Sequence, residues 1–253
     1  MGTIVITGSS SGIGLACKER FELDGHRVIG VDIKDADIIA DLSTPSGRQT
    51  AIQQVLTMSG EGIDSLILSA GLSGVTEPVD TTLAVNYFGS SELMEGLHSA
   101  MVGRNNPCIV CLVSTSCRFV ANDDPLIEKL LEGDEKACLA LIREKGHGSA
   151  YPYSKHALAR LVRLKASEWA DKGIRVTACV PGMTMTPMVE SLMEDDSVRE
   201  IMEAMQAPLG RKGSSAEMAG VIAFLCSEAA SFISGTMIWV DGAQDARDNP
   251  GIF

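Results

Sequence analysis

Short apolar runs of strand length alternate with longer segments of 3.6-residue periodicity from one end of this 253-residue chain to the other. That alternation narrows the possible folds more than any other feature. Strand candidates fall at 3–7, 27–31, 38–40, 63–69, 108–114, 174–180 and 236–240, and helical periodicity marks 12–24, 83–101, 152–172 and 216–227. Parallel strands joined by long crossovers wind right-handedly, which places helices on both faces of one sheet. The expected architecture is a doubly wound α/β Rossmann fold with a seven-stranded parallel sheet. Buried parallel strands are built mainly from Val, Ile and Leu, which suits a chain with 45% hydrophobic but only 4% aromatic residues. No repeat, linker or low-complexity tract interrupts the pattern, so residues 1–253 read as a single domain.

One stretch, 118–148, breaks the rhythm. It is charged and carries two short helical patterns, 125–132 and 134–145, separated by Gly133. Two readings stand side by side: a solvated surface helix pair, or an interaction element whose Leu126, Ile127, Leu130, Leu131, Leu139 and Ile142 need a surface to cover them.

A net charge of −12 argues against binding nucleic acid or an anionic membrane, since both reward basic patches. The N-terminus has no basic start followed by an apolar stretch, and no run approaches the ~20 apolar residues of a membrane span. Seven scattered cysteines fit reduced thiols and a cytoplasmic location. Cys108 and Cys111 have CxxC spacing, but within a strand positions i and i+3 face opposite sides, so they read as core thiols. The four histidines lack ligand spacing, and no metal site is expected.

Directly after the first strand runs Thr7-Gly8-Ser9-Ser10-Ser11-Gly12-Ile13-Gly14, opening a helix. Glycines there permit a tight turn and let the backbone approach a pyrophosphate, whose charge sits on the helix N-terminus. A glycine-rich loop alone proves little; one between strand and helix at the start of a βαβ unit supports a dinucleotide site. The second strand is followed by Asp32, where a carboxylate accepts hydrogen bonds from ribose hydroxyls and repels a 2′-phosphate. NAD rather than NADP is therefore expected, with Lys34 nearby as the one cation. A plain turn residue is the alternative for Asp32.

Tyr151-Pro152-Tyr153-Ser154-Lys155 sets Tyr151 and Lys155 four apart on one helix face. Pro152 is tolerated in a first turn. A nearby ammonium favours the phenolate and draws a phenol's pKa down from ~10 toward working pH. Tyr153 competes on composition, but no lysine stands four residues after it.

Together these residues resemble the short-chain dehydrogenase/reductase family over nearly the whole chain. The family's glycine loop is matched at Thr7 to Gly14 and its adenine-bracketing pair at Asp41-Leu42. Its Asn-Asn-Ala-Gly segment survives only as Ala70-Gly71, and its catalytic asparagine aligns with Asn86. Its active serine aligns with Ser114, its Tyr-x-x-x-Lys with Tyr151 and Lys155, and its Pro-Gly-x-x-x-Thr with Pro181 to Thr186. The closing strand and Asp-Gly pair are Ile238 to Gly242. The resemblance implies that Tyr151 exchanges the proton with the substrate oxygen, which Ser114 hydrogen-bonds. Lys155 would tune the tyrosine and hold the nicotinamide ribose, and Asn86 would hold a relay water. Pro181, Gly182, Met183, Thr184 and Thr186 would hold the nicotinamide.

Two departures from the family pattern matter. Thr115 and Ser116 follow Ser114 and compete for its assignment, and the insertion separates serine from tyrosine by 37 residues. That insertion, the Val85-Asn86-Tyr87-Phe88-Gly89 segment and the short connection from Gly71 to Asn86 resemble the family's hydroxysteroid-oxidising, carbonyl-reducing branch. The implied reaction interconverts a 3α-hydroxysteroid and a 3-ketosteroid, or other apolar secondary alcohols and ketones. Met188, Leu192, Met202 and Met205 follow Thr186 in a stretch that the family uses as a lid; methionines suit a surface that adapts to a flat hydrocarbon. An ordinary amphipathic helix is the other reading there.

The runner-up activity is 3-oxoacyl carrier-protein reduction, whose acidic partner fits a chain of net charge −12 poorly. An inactive dinucleotide sensor is a third reading, against which the complete Asn86, Ser114, Tyr151 and Lys155 set argues. The insertion enters just before the tyrosine helix, through which subunits of the family commonly pair. A homodimer that buries the insertion's apolar residues is therefore expected.

Overall fold

A computed structural model describes all residues except 1, 76, 147, 195, 197, 198, 201–205, 252 and 253. Seven parallel strands form the sheet: β1 (Thr3–Thr7), β2 (Arg27–Asp32), β3 (Ile38–Ile39), β4 (Ser65–Leu68), β5 (Cys108–Leu112), β6 (Arg175–Pro181) and β9 (Met237–Val240). Their order is β3-β2-β1-β4-β5-β6-β9, so the direction of winding reverses at β1, between β2 and β4. A crevice opens at the C-terminal ends of the strands at such a reversal. A minor pair, β7 (Thr184–Met185) with β8 (Gly213–Ser214), lies outside this sheet.

The fold class expected from the sequence is the one observed, and the strands match to within a residue or two. Helices α1 (Gly12–Leu23), α2 (Pro45–Ser59), α7 (Ala150–Glu168) and α9 (Ser215–Cys226) carry the main crossovers. Local chemistry sets their starts. Thr44 caps α2 by accepting from Gly47 N (3.0 Å) with Pro45 following, and Ser214 and Glu217 form a reciprocal capping box on α9. The helix expected over 83–101 is broken instead into α3 (Val79–Leu83), a π-helical turn (Ala84–Gly89), α4 (Ser90–Leu97) and a 3₁₀ turn. Such π turns are frequent at functional sites, and this one carries Asn86. Two apolar clusters flank the sheet, and Cys111 packs in one and Cys108 in the other, as opposite strand faces require.

The insertion folds into α5 (Pro125–Glu132) and α6 (Glu135–Lys145). Asp124 caps α5 through Leu126 N (2.9 Å), Asp134 caps α6 through Ala137 N (3.0 Å), and Gly133 turns the chain at φ 79°. Here one expectation is overturned. Leu126, Ile127, Leu130 and Ile142 are at most 1% exposed, and Leu131 and Leu139 pack beside them. They complete the core that α7 shares with the sheet, so no partner subunit is needed to cover them. Polar ties hold the pair in place. Buried Arg48 reaches Glu135 (2.5 Å), Arg160 pairs with Glu128 (2.6 Å), Arg143 pairs with Asp80, and Asp124 accepts from Lys145 (2.9 Å) and Tyr153 (2.7 Å).

Candidate active site

A cleft of about 690 Å³ opens above the C-terminal ends of β1, β2, β4, β5 and β6. At one end is the glycine loop. Gly8 sits at φ 68° with its Cα against the backbone of Ala70, where an added Cβ would meet Ala70 Cα at 2.9 Å. Gly12, at φ 54°, opens α1, whose first turn carries neither a side-chain cap nor an acidic residue. The first N–H groups of that helix therefore face the cleft without a protein acceptor, which is what an anionic phosphate requires. Gly14 does not line the cleft. Its lack of a side chain serves packing, since a Cβ there would sit 2.0 Å from Gly8 O.

Asp32 stands at the end of β2 on the cleft wall, and its oxygens accept from Ser10 N (3.0 Å) and Ile33 N (2.7 Å). The carboxylate is thereby oriented while keeping lone pairs for two ribose hydroxyls. Asp41 and Leu42 flank it, together with Ser43 and Lys34. Ser10, Ser11, Ile13, Ala70, Gly71, Pro181, Gly182, Met183, Thr184 and Thr186 all line the same cleft. The residues present fit a dinucleotide.

At the other end the structure brings together Ser114, Tyr151 and Lys155, despite their separation in sequence. Ser114 follows β5 and also opens a 3₁₀ turn (Thr115–Phe119), with its Oγ accepting from Ser116 N (3.2 Å). That bond fills an acceptor position and leaves the hydroxyl proton free to point at a substrate oxygen. Burial pushes the Tyr151 phenol up from its ordinary pKa, while the Ser114 hydroxyl beside it draws it down. Lys155 is 4% exposed, donates to Leu112 O (2.8 Å) and lies 5.5 Å from the Tyr151 ring centroid. Desolvation lowers its pKa to about 8.

Asn86 lies behind the cleft wall, fully buried. Its side chain accepts from Leu72 N (2.7 Å) and donates to Leu72 O (3.0 Å), fixing the strand-end segment that carries Gly71. A Cβ added at Gly71 would lie 3.4 Å from Asn86 Oδ1 and 3.7 Å from the Lys155 ammonium. Tyr153 does not line the cleft. Its hydroxyl donates to the insertion's Asp124 (2.7 Å), and of the two tyrosines it is Tyr151 that lines the cleft.

The outer walls near Tyr151 are apolar, with Phe119, Leu72, Met188, Val189 and Leu192. Thr186 caps α8 (Pro187–Leu192) by accepting from Val189 N (3.3 Å), and this helix brings Met188 and Leu192 to the cleft wall. Met202 and Met205 lie outside the described residues. The sequence does not single out Phe119, Ser43 and Gln244 as lining residues, whereas Lys34, the cation expected near Asp32, is on the cleft wall. Ser43 adjoins a recognised motif, whereas Phe119 and Gln244 arrive through tertiary packing and carry no local signal.

The fold and this arrangement define a dinucleotide-dependent oxidoreductase, and the chain belongs to the short-chain dehydrogenase/reductase family. The family pattern described as short chain dehydrogenase matches residues 2–122, and the pattern described as Enoyl-(Acyl carrier protein) reductase matches residues 137–243. The chain is 39% identical over 257 residues to the 3-alpha-hydroxysteroid dehydrogenase/carbonyl reductase of Comamonas testosteroni, spanning all of both proteins. It superposes with a TM-score of 0.95 on the crystal structure of the 3-alpha-hydroxysteroid dehydrogenase from Pseudomonas sp. B-0831 complexed with NADH. The identity is 39%, and 99% of this chain and 100% of the other are covered. A more distant relative is the galactitol 2-dehydrogenase (L-tagatose-forming) of Cereibacter sphaeroides, at 29% identity over 94% of this chain and 92% of that protein. Among the described residues, no helix is long and apolar enough to cross a membrane.

Proposed function

We propose that this chain is an NAD-dependent oxidoreductase interconverting a 3α-hydroxysteroid and its 3-ketosteroid, with carbonyl reductase activity on other apolar carbonyls. One observation carries this reading: a single continuous cleft joins an Asp32-marked ribose end to a Ser114–Tyr151–Lys155 end walled by Phe119, Met188 and Leu192. The activities named for the two relatives at 39% identity support it. The decisive measurement is NADH formation with a 3α-hydroxysteroid; turnover of short polar alcohols alone would overturn the steroid assignment.

In this reading the bound nicotinamide supplies the hydride chemistry, and the protein supplies position and proton control. The loop from Gly8 to Ile13 and the N-terminus of α1 would hold the pyrophosphate, Asp32 the adenosine ribose, Asp41 and Leu42 the adenine. Pro181, Gly182, Met183, Thr184 and Thr186 bracket the nicotinamide. Ser114 donates to the substrate oxygen, and Tyr151 gives that oxygen a proton in reduction or takes one in oxidation. Lys155 binds the nicotinamide ribose and stabilises the phenolate. Asn86, with its amide committed to Leu72, shapes the wall that carries Gly71 instead of holding the relay water expected of it. Met188 and Leu192 cover the substrate.

NAD is expected to be preferred over NADP by at least about tenfold in catalytic efficiency, because the Asp32 carboxylate would meet a 2′-phosphate. Asp32→Ala should narrow the ratio, with Lys34 then the nearest cation. Equal use of both cofactors by the unaltered enzyme would refute this role for Asp32.

The reading includes a cytoplasmic location, supported by seven cysteines with no disulfide among them. It also includes a homodimer, now placed away from the insertion. Strand β9 ends the sheet, and Phe224 on α9 and Phe232 in the connection between α9 and β9 are exposed. Open edges and apolar patches of this kind are usually covered. Sedimentation should show a dimer for the unaltered protein and a monomer for Phe224→Glu with Phe232→Glu; a dimer indifferent to those charges would place the interface elsewhere.

A further inference from the structure

Arg48 is a charged side chain with no exposure to water, and the proposed reaction gives it no task. It stands in the first turn of α2, and its guanidinium reaches three separate parts of the chain. Nη1 donates to Leu42 O (3.2 Å), Nε pairs with Glu92 on α4 (2.9 Å), and Nη2 donates to Glu135 at the start of α6 (2.5 Å). The Phe88 ring centroid lies 5.9 Å away. A guanidinium suits such a place, because its planar fork presents donors in several fixed directions at once.

The backbone that Arg48 secures belongs to one end of the cleft, where Asp41, Leu42 and Ser43 line the wall beside Asp32. Packing holds this segment from two further sides. A Cβ added at Gly47 would sit 1.9 Å from Asp41 O, and one added at Gly89 would sit 3.2 Å from Leu42 Cβ. Asp41 Oδ1 also accepts from Ser43 N (2.9 Å), and Asp41 O accepts from Thr44 N (3.2 Å). The segment is thus clamped between α2 and the π turn, and the Arg48 bond to the Leu42 carbonyl is its third support.

An uncharged donor would satisfy the Leu42 carbonyl, so the charge on Arg48 needs its own account. Burying a guanidinium is costly unless carboxylates pair with it, and losing one partner leaves that cost unmet. Glu135 is the less exposed of the two carboxylates, 22% against 41% for Glu92, so its attraction is the less screened by water. Glu135 belongs to the insertion, 87 residues away from Arg48 in sequence. The stronger of the two ion pairs that keep Arg48 on the Leu42 carbonyl therefore depends on the insertion being docked.

We propose that the insertion braces the adenine pocket: Glu135, acting through Arg48 on Leu42, is a positioning residue for the adenylate half of the dinucleotide. This rests on the reading of Asp41 and Leu42 as the adenine pair. The nicotinamide half belongs to the other end of the cleft, with Ser114, Tyr151 and Lys155, and should be indifferent to the brace.

The test compares two probes, NADH and reduced nicotinamide mononucleotide, which lacks the adenylate. Fluorescence titration reads both dissociation constants, and melting curves check that each variant is folded. The unaltered protein should bind NADH far more tightly than the mononucleotide. Glu135→Gln should weaken NADH about fivefold, a change of about 1 kcal/mol, and leave the mononucleotide as it was. Arg48→Lys keeps the charge but loses the fork; it should act in the same direction and serves if Glu135→Gln does not fold. Glu128→Gln breaks another tie of the insertion, to Arg160, and should leave both constants alone. If Glu128→Gln weakened NADH equally, the cause would be a general loosening of the insertion, and the proposal would fall. Equal weakening of both probes would also overturn it, as would NADH binding untouched by Glu135→Gln and Arg48→Lys. Those results would leave the adenine reading standing. Equal affinity of the unaltered protein for the two probes would instead overturn the adenine reading itself, and the brace with it.

Discussion

Tyr151→Phe is expected to lower turnover by about a thousandfold, within the range that a positioned acid or base contributes. NADH binding should stay close to that of the unaltered enzyme. The substitution deletes one oxygen and almost no volume, and leaves the glycine loop, Asp32 and the ammonium of Lys155 in place. The control is built into the chain. Tyr153→Phe, two residues on, removes a hydroxyl that serves the insertion, donating to Asp124 (2.7 Å). It should cost about 1 kcal/mol of stability and little activity. Stopped-flow turnover and fluorescence titration with NADH read both effects, and a dead Tyr153→Phe beside an active Tyr151→Phe would reverse the assignment. Ser114 gives the sign of a pH effect. Its hydroxyl draws the Tyr151 pKa down, so Ser114→Ala should raise that pKa. Alcohol oxidation, which needs the phenolate, would then begin at a higher pH.

The elements that carry the cleft were visible in the chain because their signals are local. A strand, a glycine loop and a helix in immediate succession can hardly be arranged otherwise, and an acidic residue at the end of β2 falls beside that loop by topology alone. Tyr151 and Lys155 share a face because both stand on α7. Where the signal is not local, the chain alone does not place a residue. Asn86 was placed by motif, yet its amide is spent on Leu72, and only the π turn shows why an asparagine stands there. Gly14 belongs to the loop's pattern, but the atom it accommodates is Gly8 O rather than a ligand.

The insertion shows the limit most clearly. Its capping residues, Asp124 and Asp134 with Gly133 between the helices, made both helices readable. Its amphipathicity revealed that an apolar face existed, but not which surface would receive it. The surface is α7 of the same subunit, reinforced by Arg48, which is fully buried and pairs with Glu135 across 87 residues of sequence. Nothing in either segment alone marks that pairing.

Lys155→Met should abolish most turnover and yet make the cofactor-free protein more stable. Burial lowers the Lys155 pKa from 10.5 to about 8. Between those values the unfolded chain binds the proton and the folded one does not, so this residue makes stability rise with pH through that window. Below about pH 8 the folded protein carries the full cost of a buried ammonium, on the order of 3 kcal/mol for such a shift. Methionine keeps the length and apolar stem of lysine but not its charge. It leaves Leu112 O without its donor, a loss of about 1 kcal/mol. The net gain of roughly 2 kcal/mol should raise the melting temperature by several degrees near pH 6.5. The advantage should shrink toward pH 10, where the native lysine is already neutral in the folded state. Bound NAD should reverse the order at neutral pH, because the proposed ribose contact then stabilises only the lysine enzyme. Melting curves at the two pH values, with and without NAD, decide the matter. A methionine variant less stable than the parent at pH 6.5 without cofactor would mean that the ammonium is not held there at a cost to the fold.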